Sequence, residues 1–299
     1  MKLKEKERNV CMKRNAGFLL IIAVLALLFT GCVGGGSKDS NDIVVVSRED
    51  GSGTRGAFIE LFGVEEKDEN GNKVDKTTDE AIVVNSTPVV MATVAGNKNS
   101  IGYISLGSLN ETVKAVRVDG AEPTVDNIKN KSYRIFRPFI IATRDDPGVL
   151  VNDFISFILS SDGQNVVEDN GYIAASENGP YSGVKPSGKI VIAGSSSVTP
   201  IIEKLKEAYL KLNPNAEIEI QLSDSTTGMN SAIDETCDIG MASRELKESE
   251  LEKLKPTVIA MDGLAVIVNR ENPVIDLTNE QIRDIFKGKI TSWDEVTGR

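Results

Sequence analysis

Histidine is absent from the 299 residues, cysteine occurs three times, tryptophan once, and aromatic residues make up only 5% of the chain. Without an imidazole, a Ser–His–Asp or Cys–His arrangement is impossible and no histidine can ligate a metal. Neither a G-x-S-x-G elbow nor a G-x-x-x-x-G-K-[ST] loop occurs, so the common hydrolase and nucleotide signatures are missing. Basic residues are also in deficit, 34 Lys and Arg against 44 Asp and Glu, a net charge of −10 that argues against nucleic acid as a partner. Acidic runs such as Glu248, Glu250 and Glu252 read as solvated helix faces. The composition, 40% hydrophobic with scattered Gly and Pro, is globular, and the length fits two domains.

One apolar run, Gly17 to Phe29, stands out near the start, with basic residues before it and Thr30-Gly31-Cys32 after it. It is too short to span a bilayer and reads as the core of a secretory leader. Its ending resembles a bacterial lipoprotein signal. That predicts a signal peptide over 1–31, lipidation of Cys32, and a Gly/Ser-rich flexible tether over 32–41. Met12 offers an alternative start to Met1. Loss of the leader, with six basic and two acidic residues, takes the charge to about −14 and leaves Cys237 as the one unmodified cysteine, which excludes a disulfide framework or a cysteine metal site.

After the tether, Ile43-Val44-Val45-Val46 reads as a buried strand and Ala57, Phe58, Leu61 and Phe62 recur at helical spacing. Between them lies Ser47-Arg48-Glu49-Asp50-Gly51-Ser52-Gly53-Thr54-Arg55, in which the glycines can supply left-handed turn positions. A strand, a hydroxyl-rich turn and a helix N-terminus present free N–H and O–H donors to an oxyanion, with Arg48 as a fixed cation. The pattern returns at Gly194-Ser195-Ser196-Ser197-Val198-Thr199-Pro200 and at Ser223-Asp224-Ser225-Thr226-Thr227-Gly228, each after a strand and before a helix. One such turn is ordinary capping. Three converging at the carboxyl ends of strands could surround one small tetrahedral anion.

Elsewhere 65–76 reads as a solvated loop or hairpin, 88–95 as a helix, 113–118 as an edge-like strand and 149–168 as one amphipathic helix. The Gly/Pro/Ser-rich stretch 174–189 reads as a linker, 263–269 as an apolar strand, and 277–286 as a helix capped by Thr278.

Together, the Ser47–Arg55 turn, Ala193 to Pro200, Ser223 to Gly228, Asp238-Ile239-Gly240-Met241-Ala242-Ser243-Arg244 and Thr291-Ser292-Trp293 resemble the phosphate-binding proteins of bacterial ABC phosphate importers. The family places its Gly-Ser-Ser-Ser run first, and a segment like 291–294 leads directly into one like 46–50. Here those pieces lie at opposite ends, so the resemblance implies a circular permutant whose linker 174–189 joins the family's old termini, with Arg299 near Asn41 or Asp42. A truncated or fused gene that needs a partner to complete its lobes is the rival account. The implied fold is α/β, a two-lobed periplasmic-binding-protein-like architecture of type II. One lobe would comprise 42–137 plus 262–299 and the other 138–261.

The resemblance implies a phosphate site of Ser196, Ser197, Ser225, Thr226, Arg48, Ser52, Gly53 and Thr54, with Asp50 orienting Arg48 and Ser243 nearby. Some members carry an Asp after Ser243 that accepts the proton of hydrogen phosphate; this chain has Arg244. Two accounts remain open: Asp224 replaces that acceptor, or Arg244 points outward. The implied protein is not an enzyme and needs no cofactor or metal. It captures inorganic phosphate at micromolar or tighter concentration, binds sulfate weakly, and delivers its ligand to ABC permease subunits from a lipid anchor on the extracytoplasmic face of the membrane. Other tetrahedral oxyanions (sulfate, molybdate, tungstate) and a surface or signalling role are the alternatives.

Overall fold

The computed structural model describes residues 41–298; the leader, Cys32 and Arg299 lie outside the described residues. The chain begins with β1 (Val44–Arg48), α1 (Gly53–Leu61), the hairpin β2 (Glu65–Lys67) and β3 (Lys73–Asp75), β4 (Ile82–Val84), α2 (Thr87–Gly96) and β5 (Ser100–Ser105). Short elements follow: β6 (Lys114–Ala115), β7 (Arg117–Val118) and α3 (Val125–Lys129). Then come β8 (Phe136–Thr143), α4 (Val149–Leu159), α5 (Ser161–Asp169), β9 (Ile173–Ala174), β10 (Gly188–Ser195), α6 (Thr199–Leu212), β11 (Ala216–Ser223), α7 (Ser225–Ile233), β12 (Ile239–Ala242) and α8 (Glu248–Leu251). The chain closes with β13 (Lys255–Val268), β14 (Asp276–Leu277), α9 (Asn279–Phe286) and α10 (Trp293–Thr297).

One sheet follows the order β11-β10-β12-β8-β13-β5-β1-β4. Its outer strands are parallel, β1 with β4 and β5, β10 with β11 and β12; β1, β5 and β10 carry mostly buried runs, whereas the edge strand β11 alternates Ile218 and Ile220 with Glu217 and Glu219. The middle is antiparallel and belongs to two long strands. The first half of β13 pairs with β8 from Lys255↔Thr143 to Gly263↔Phe136, with an irregularity between Val258 and Ala260, and the second half pairs with β5 from Leu264↔Ser105. Alternation along the strands sends Val45, Tyr103, Leu264 and Val266 into one core and Val46, Ile104, Ala265 and Ile267 into another on the opposite face. These two cores draw their buried members from 45–135 and 264–293. The other two cores draw theirs from 139–260. The division falls across β8 and β13.

Several sequence expectations change. The helix expected over 149–168 is two helices, because Ser160 takes an extended conformation (ψ 164°) and its hydroxyl caps the second one at Gly163 N. A side chain at Gly163 would meet the Phe157 carbonyl oxygen at 2.2 Å, so the close approach of the second helix to the end of the first requires glycine there. The strand expected over 113–118 is split, β6 joining β13 and β7 joining β14. Residues 65–76 form the antiparallel β2–β3 hairpin, and Thr278 caps α9 with Gln281 completing a reciprocal box. Cys237 is buried, and burial pushes its thiol up to about 11, the state of a packed and unreactive sulfur.

The first and last described segments run side by side. Asp42 pairs with Ser292, Ile43 N donates to the Thr291 carbonyl at 2.7 Å, and Trp293 N donates to the Asn41 carbonyl at 2.9 Å. Trp293 is buried in the core beneath them, its indole Nε1 donating to the Asn99 carbonyl at 3.0 Å.

Candidate functional site

Strand β1 ends at Ser47 and Arg48, and the chain turns through Glu49–Ser52 into α1, whose first N–H groups are capped by Ser52 Oγ accepting from Arg55 N. Gly51 and Gly53 do not adopt left-handed φ, contrary to the turn expectation; they are needed for close approach. A Cβ on Gly51 would lie 2.2 Å from Asp224 Oδ1, and one on Gly53 would lie 2.4 Å from Ser225 Oγ and 2.9 Å from Ser243 Oγ. Gly51 also accepts a bond from Thr226 N at 3.2 Å, so this turn packs directly on the start of α7.

Seven buried hydroxyls meet there: Thr54, Thr87, Ser195, Ser196, Ser197, Ser225 and Ser243. Ser197 Oγ shares hydrogen bonds with Thr54 Oγ1 at 2.8 Å and Thr87 Oγ1 at 3.0 Å, and Ser195 Oγ donates to Ser243 Oγ at 3.0 Å. Ser243 N donates to Ser225 Oγ at 3.1 Å, and Thr87 N to Ser196 Oγ at 3.4 Å. The cluster draws on residues from both sides of the β8–β13 division, and the N-termini of α1, α2, α6 and α7 all contribute to it. Four such helix starts place partial positive charge around one point.

The buried Arg48 supplies the full charge. Its Nη1 reaches Thr87 Oγ1 at 3.5 Å, and its Nε and Nη2 both donate to Glu49 at 2.7 Å. Asp50, expected to orient it, does not: its side chain is 98% exposed and pairs with Arg55 at 3.1 Å. Glu49 is next in sequence and can present both carboxylate oxygens to the guanidinium fork, whereas Asp50 projects from the turn. Arg55 is held by Asp75 at 2.7 Å; burial lowers its pKa, but that bond and nearby charges outweigh the effect and raise it overall. Beneath Arg48, Tyr103 Oη bonds Ser47 Oγ at 2.9 Å and accepts from Arg48 N at 3.1 Å, while its ring stacks on Phe58. Burial raises the Tyr103 phenol, which keeps it neutral beside the arginine.

Of the two open accounts of the Arg244 neighbourhood, the outward-pointing arginine is corrected. The Asp224 carboxylate is the cap of α7, accepting from Thr227 N at 2.9 Å and Thr227 Oγ1 at 2.5 Å. Arg244 does not point outward: its side chain is 13% exposed, forms a fork with Glu250 at 2.8 and 2.8 Å, and donates to Thr226 Oγ1 at 3.2 Å. Glu250, read from sequence as a solvated face, is 4% exposed. Burial pushes its carboxyl up, but the Arg244 fork and the Lys247 N–H outweigh this and hold it below its ordinary range.

Of the residues nominated from sequence, Arg48, Gly53, Thr54, Ser196, Ser197, Ser225 and Ser243 come together; Thr226 stands half-buried at the edge and Ser52 serves as a cap. Sequence reasoning missed Thr87, Ser195, Glu49 and Glu250. Thr87 carried a usable signal, since Ser86-Thr87-Pro88 repeats the hydroxyl-then-proline helix start of Thr199-Pro200. The assembly can wrap a small polyoxyanion in hydroxyl and N–H donors with one guanidinium, in a setting screened from water.

A PBP superfamily domain model matches residues 14–162 and 179–299. The chain is 54% identical over 293 residues to the phosphate-binding protein PstS 2 of Streptococcus agalactiae, covering 96% of this chain and 100% of that one. A crystal structure of the phosphate-binding protein of a phosphate ABC transporter from Streptococcus pneumoniae is 44% identical, with a TM-score of 0.67 over 85% of this chain and 99% of that chain. The phosphate-binding protein PstS of Bacillus subtilis matches at 32% identity over 118 residues, 38% of this chain and 39% of its own length.

Proposed function

The chain belongs to the PBP superfamily, among the phosphate-binding proteins of ABC phosphate transporters, and from that premise we propose that it holds inorganic phosphate in the buried hydroxyl cluster with Arg48 as its cation. The observation that carries this reading is the meeting of seven buried hydroxyls and the Arg48 Nη1 at the starts of four helices. Hydrogen bonds to a charged group contribute about 1.5–3 kcal/mol each, and micromolar affinity needs about 8 kcal/mol, so a handful suffices after the cost of ordering the ligand. Phosphate enters between the two lobes, 42–137 plus 262–299 and 138–261, which close by bending β8 and β13 and exclude water from the charge-assisted bonds. The closed protein then meets permease subunits on the extracytoplasmic side, tethered through a lipid on Cys32. Calorimetry on the chain from residue 33 onward is expected to give micromolar or tighter phosphate binding; millimolar binding overturns the reading.

The order of the chain is read as a circular permutation. Three observations support it: the pairing of 41–43 with 291–294, a family match interrupted between 162 and 179, and relatives of two kinds, one collinear over the full length and one matched over 38% of this chain. A permuted order leaves a collinear alignment only one segment to follow. A chain rebuilt to start at Ser182, with Gly298 joined to Asn41 by a short glycine linker, is expected to fold as a monomer and bind phosphate within about threefold of the parent. Its recovery as a dimer with exchanged halves, or without binding, would count against the permutation.

A further inference from the structure

We propose that Arg244, held by the buried carboxylate of Glu250, is a second cation of the oxyanion site, and that this site accepts sulfate to within about a hundredfold of phosphate. The inference rests on the phosphate reading above. Arg244 follows Ser243 at the end of β12, and its Cγ packs 3.0 Å from where a Cβ on Gly53 would stand, so it lines the same turn as Thr54. Its Nη1 and Nη2 are fixed by Glu250 at 2.8 Å each and Nη1 also by the Glu245 carbonyl at 2.9 Å, while Nη2 reaches Thr226 Oγ1 at 3.2 Å. Glu250 is itself fixed by Lys247 N at 2.8 Å. With both Nη groups held, the guanidinium is a fixed charge beside Thr226 at the edge of the cluster.

Each carboxylate at the edge of the cluster has another task. Glu49 is on Arg48, Asp50 is exposed beside Arg55, Asp224 caps α7, and Glu250 is on Arg244. Among the described residues, the clustered hydroxyls bond to one another, to backbone groups and to arginine, and to no carboxylate. This matters because hydrogen phosphate carries a proton and sulfate carries none. A fixed carboxylate can accept that proton and is left unpaired and repelled by sulfate, a large discrimination. A hydroxyl accepts from one ligand and rotates to donate to the other, so neither is penalised strongly.

The test is calorimetry with sodium phosphate and sodium sulfate on the chain from residue 33 onward. A sulfate-to-phosphate Kd ratio below about a hundred is expected; a larger ratio, with phosphate bound, overturns this inference alone, and failure to bind phosphate overturns the phosphate reading with it. Arg244→Gln is expected to weaken both anions by a similar factor of about ten, and Glu250→Gln by about threefold, at an unchanged sulfate-to-phosphate ratio. Both affinities remaining at the parent's values in Arg244→Gln overturns the cation role. Arg244→Asp is expected to raise the ratio at least about tenfold, and a ratio that does not rise counts against the proton-acceptor argument.

Discussion

Arg48→Met is expected to lower phosphate affinity by at least about a hundredfold while leaving the urea midpoint within the range of an ordinary surface substitution. The size follows from the loss of a buried charge that points at the hydroxyl cluster through Nη1, where one charge-assisted bond contributes about 1.5–3 kcal/mol and the screened charge adds to it. The fold should survive because Arg48's backbone bonds, from N to Tyr103 Oη and from Arg55 Nη1 to its carbonyl, do not depend on its side chain, and Glu49 is free to turn outward. Calorimetry and urea titration on the same preparation check both halves, and phosphate binding retained within about threefold would reduce this stretch to a helix cap. Two companions separate the carboxylates. Glu49→Gln should weaken binding about tenfold, since a neutral amide aims the guanidinium less firmly, whereas Asp50→Asn should change it little because Asp50 stands in solvent.

Asp262→Asn is expected to cost about 3–5 kcal/mol of stability, read as a drop in urea midpoint. Asp262 lies in β13 and is fully buried; Arg137, 2% exposed, lies opposite in β8 at 3.2 Å, so the pair ties together the two strands that carry the chain between its cores. Asp262 also accepts from Ser105 Oγ at 2.8 Å. Among the described residues Arg137 Nε and Nη1 have no hydrogen-bond partner, and the guanidinium rests over the Phe139 ring. Removing the carboxylate leaves that cation buried and alone, so the single change should exceed the cost of replacing both partners, as in Arg137→Met with Asp262→Leu. Burial lowers the Arg137 guanidinium pKa and pushes the Asp262 carboxyl up to about 6. Both shifts mean that mutual attraction does not fully offset desolvation. Between the unfolded value of about 4 and the folded value near 6, the folded chain holds a proton that the unfolded chain has released, so this group's contribution to stability falls as pH rises through that window. Asp262→Asn should remove that slope, and a slope unchanged in the variant would dissociate it from this carboxyl.

The local signals in the sequence were mostly faithful. A β-branched run followed by Gly, Ser and Thr made β1 and the start of α1; Pro200 and Thr278 stand at helix starts; the polar run after residue 64 is a hairpin. Where local reading failed, a contact from elsewhere had the deciding vote. Val151, Phe154 and Ile158 share one face of the first helix, but the buried residues after Ser160 are Gly163, Gln164 and Val167, in a different phase, because Ser160 turns out of the helix to cap a second one. Gly51 and Gly53 were read for their torsional freedom, but what they provide is room for Asp224 and Ser225.

By itself, the sequence determined which chemistry is available: no imidazole, no paired thiols, and hydroxyl-rich turns at strand ends with an arginine in the first of them, because residue type and local spacing are written along the chain. Tertiary structure decided which of those groups meet. Thr87 joins Ser197 across 110 positions, Arg137 meets Asp262 across 125, and Thr54 meets Ser243 across 189; no periodicity encodes such distances, since they arise only when the sheet brings strand ends together. Even the neighbour of Arg48 needed the fold, because Glu49 and Asp50 are equivalent on paper and differ only in the direction the turn gives them.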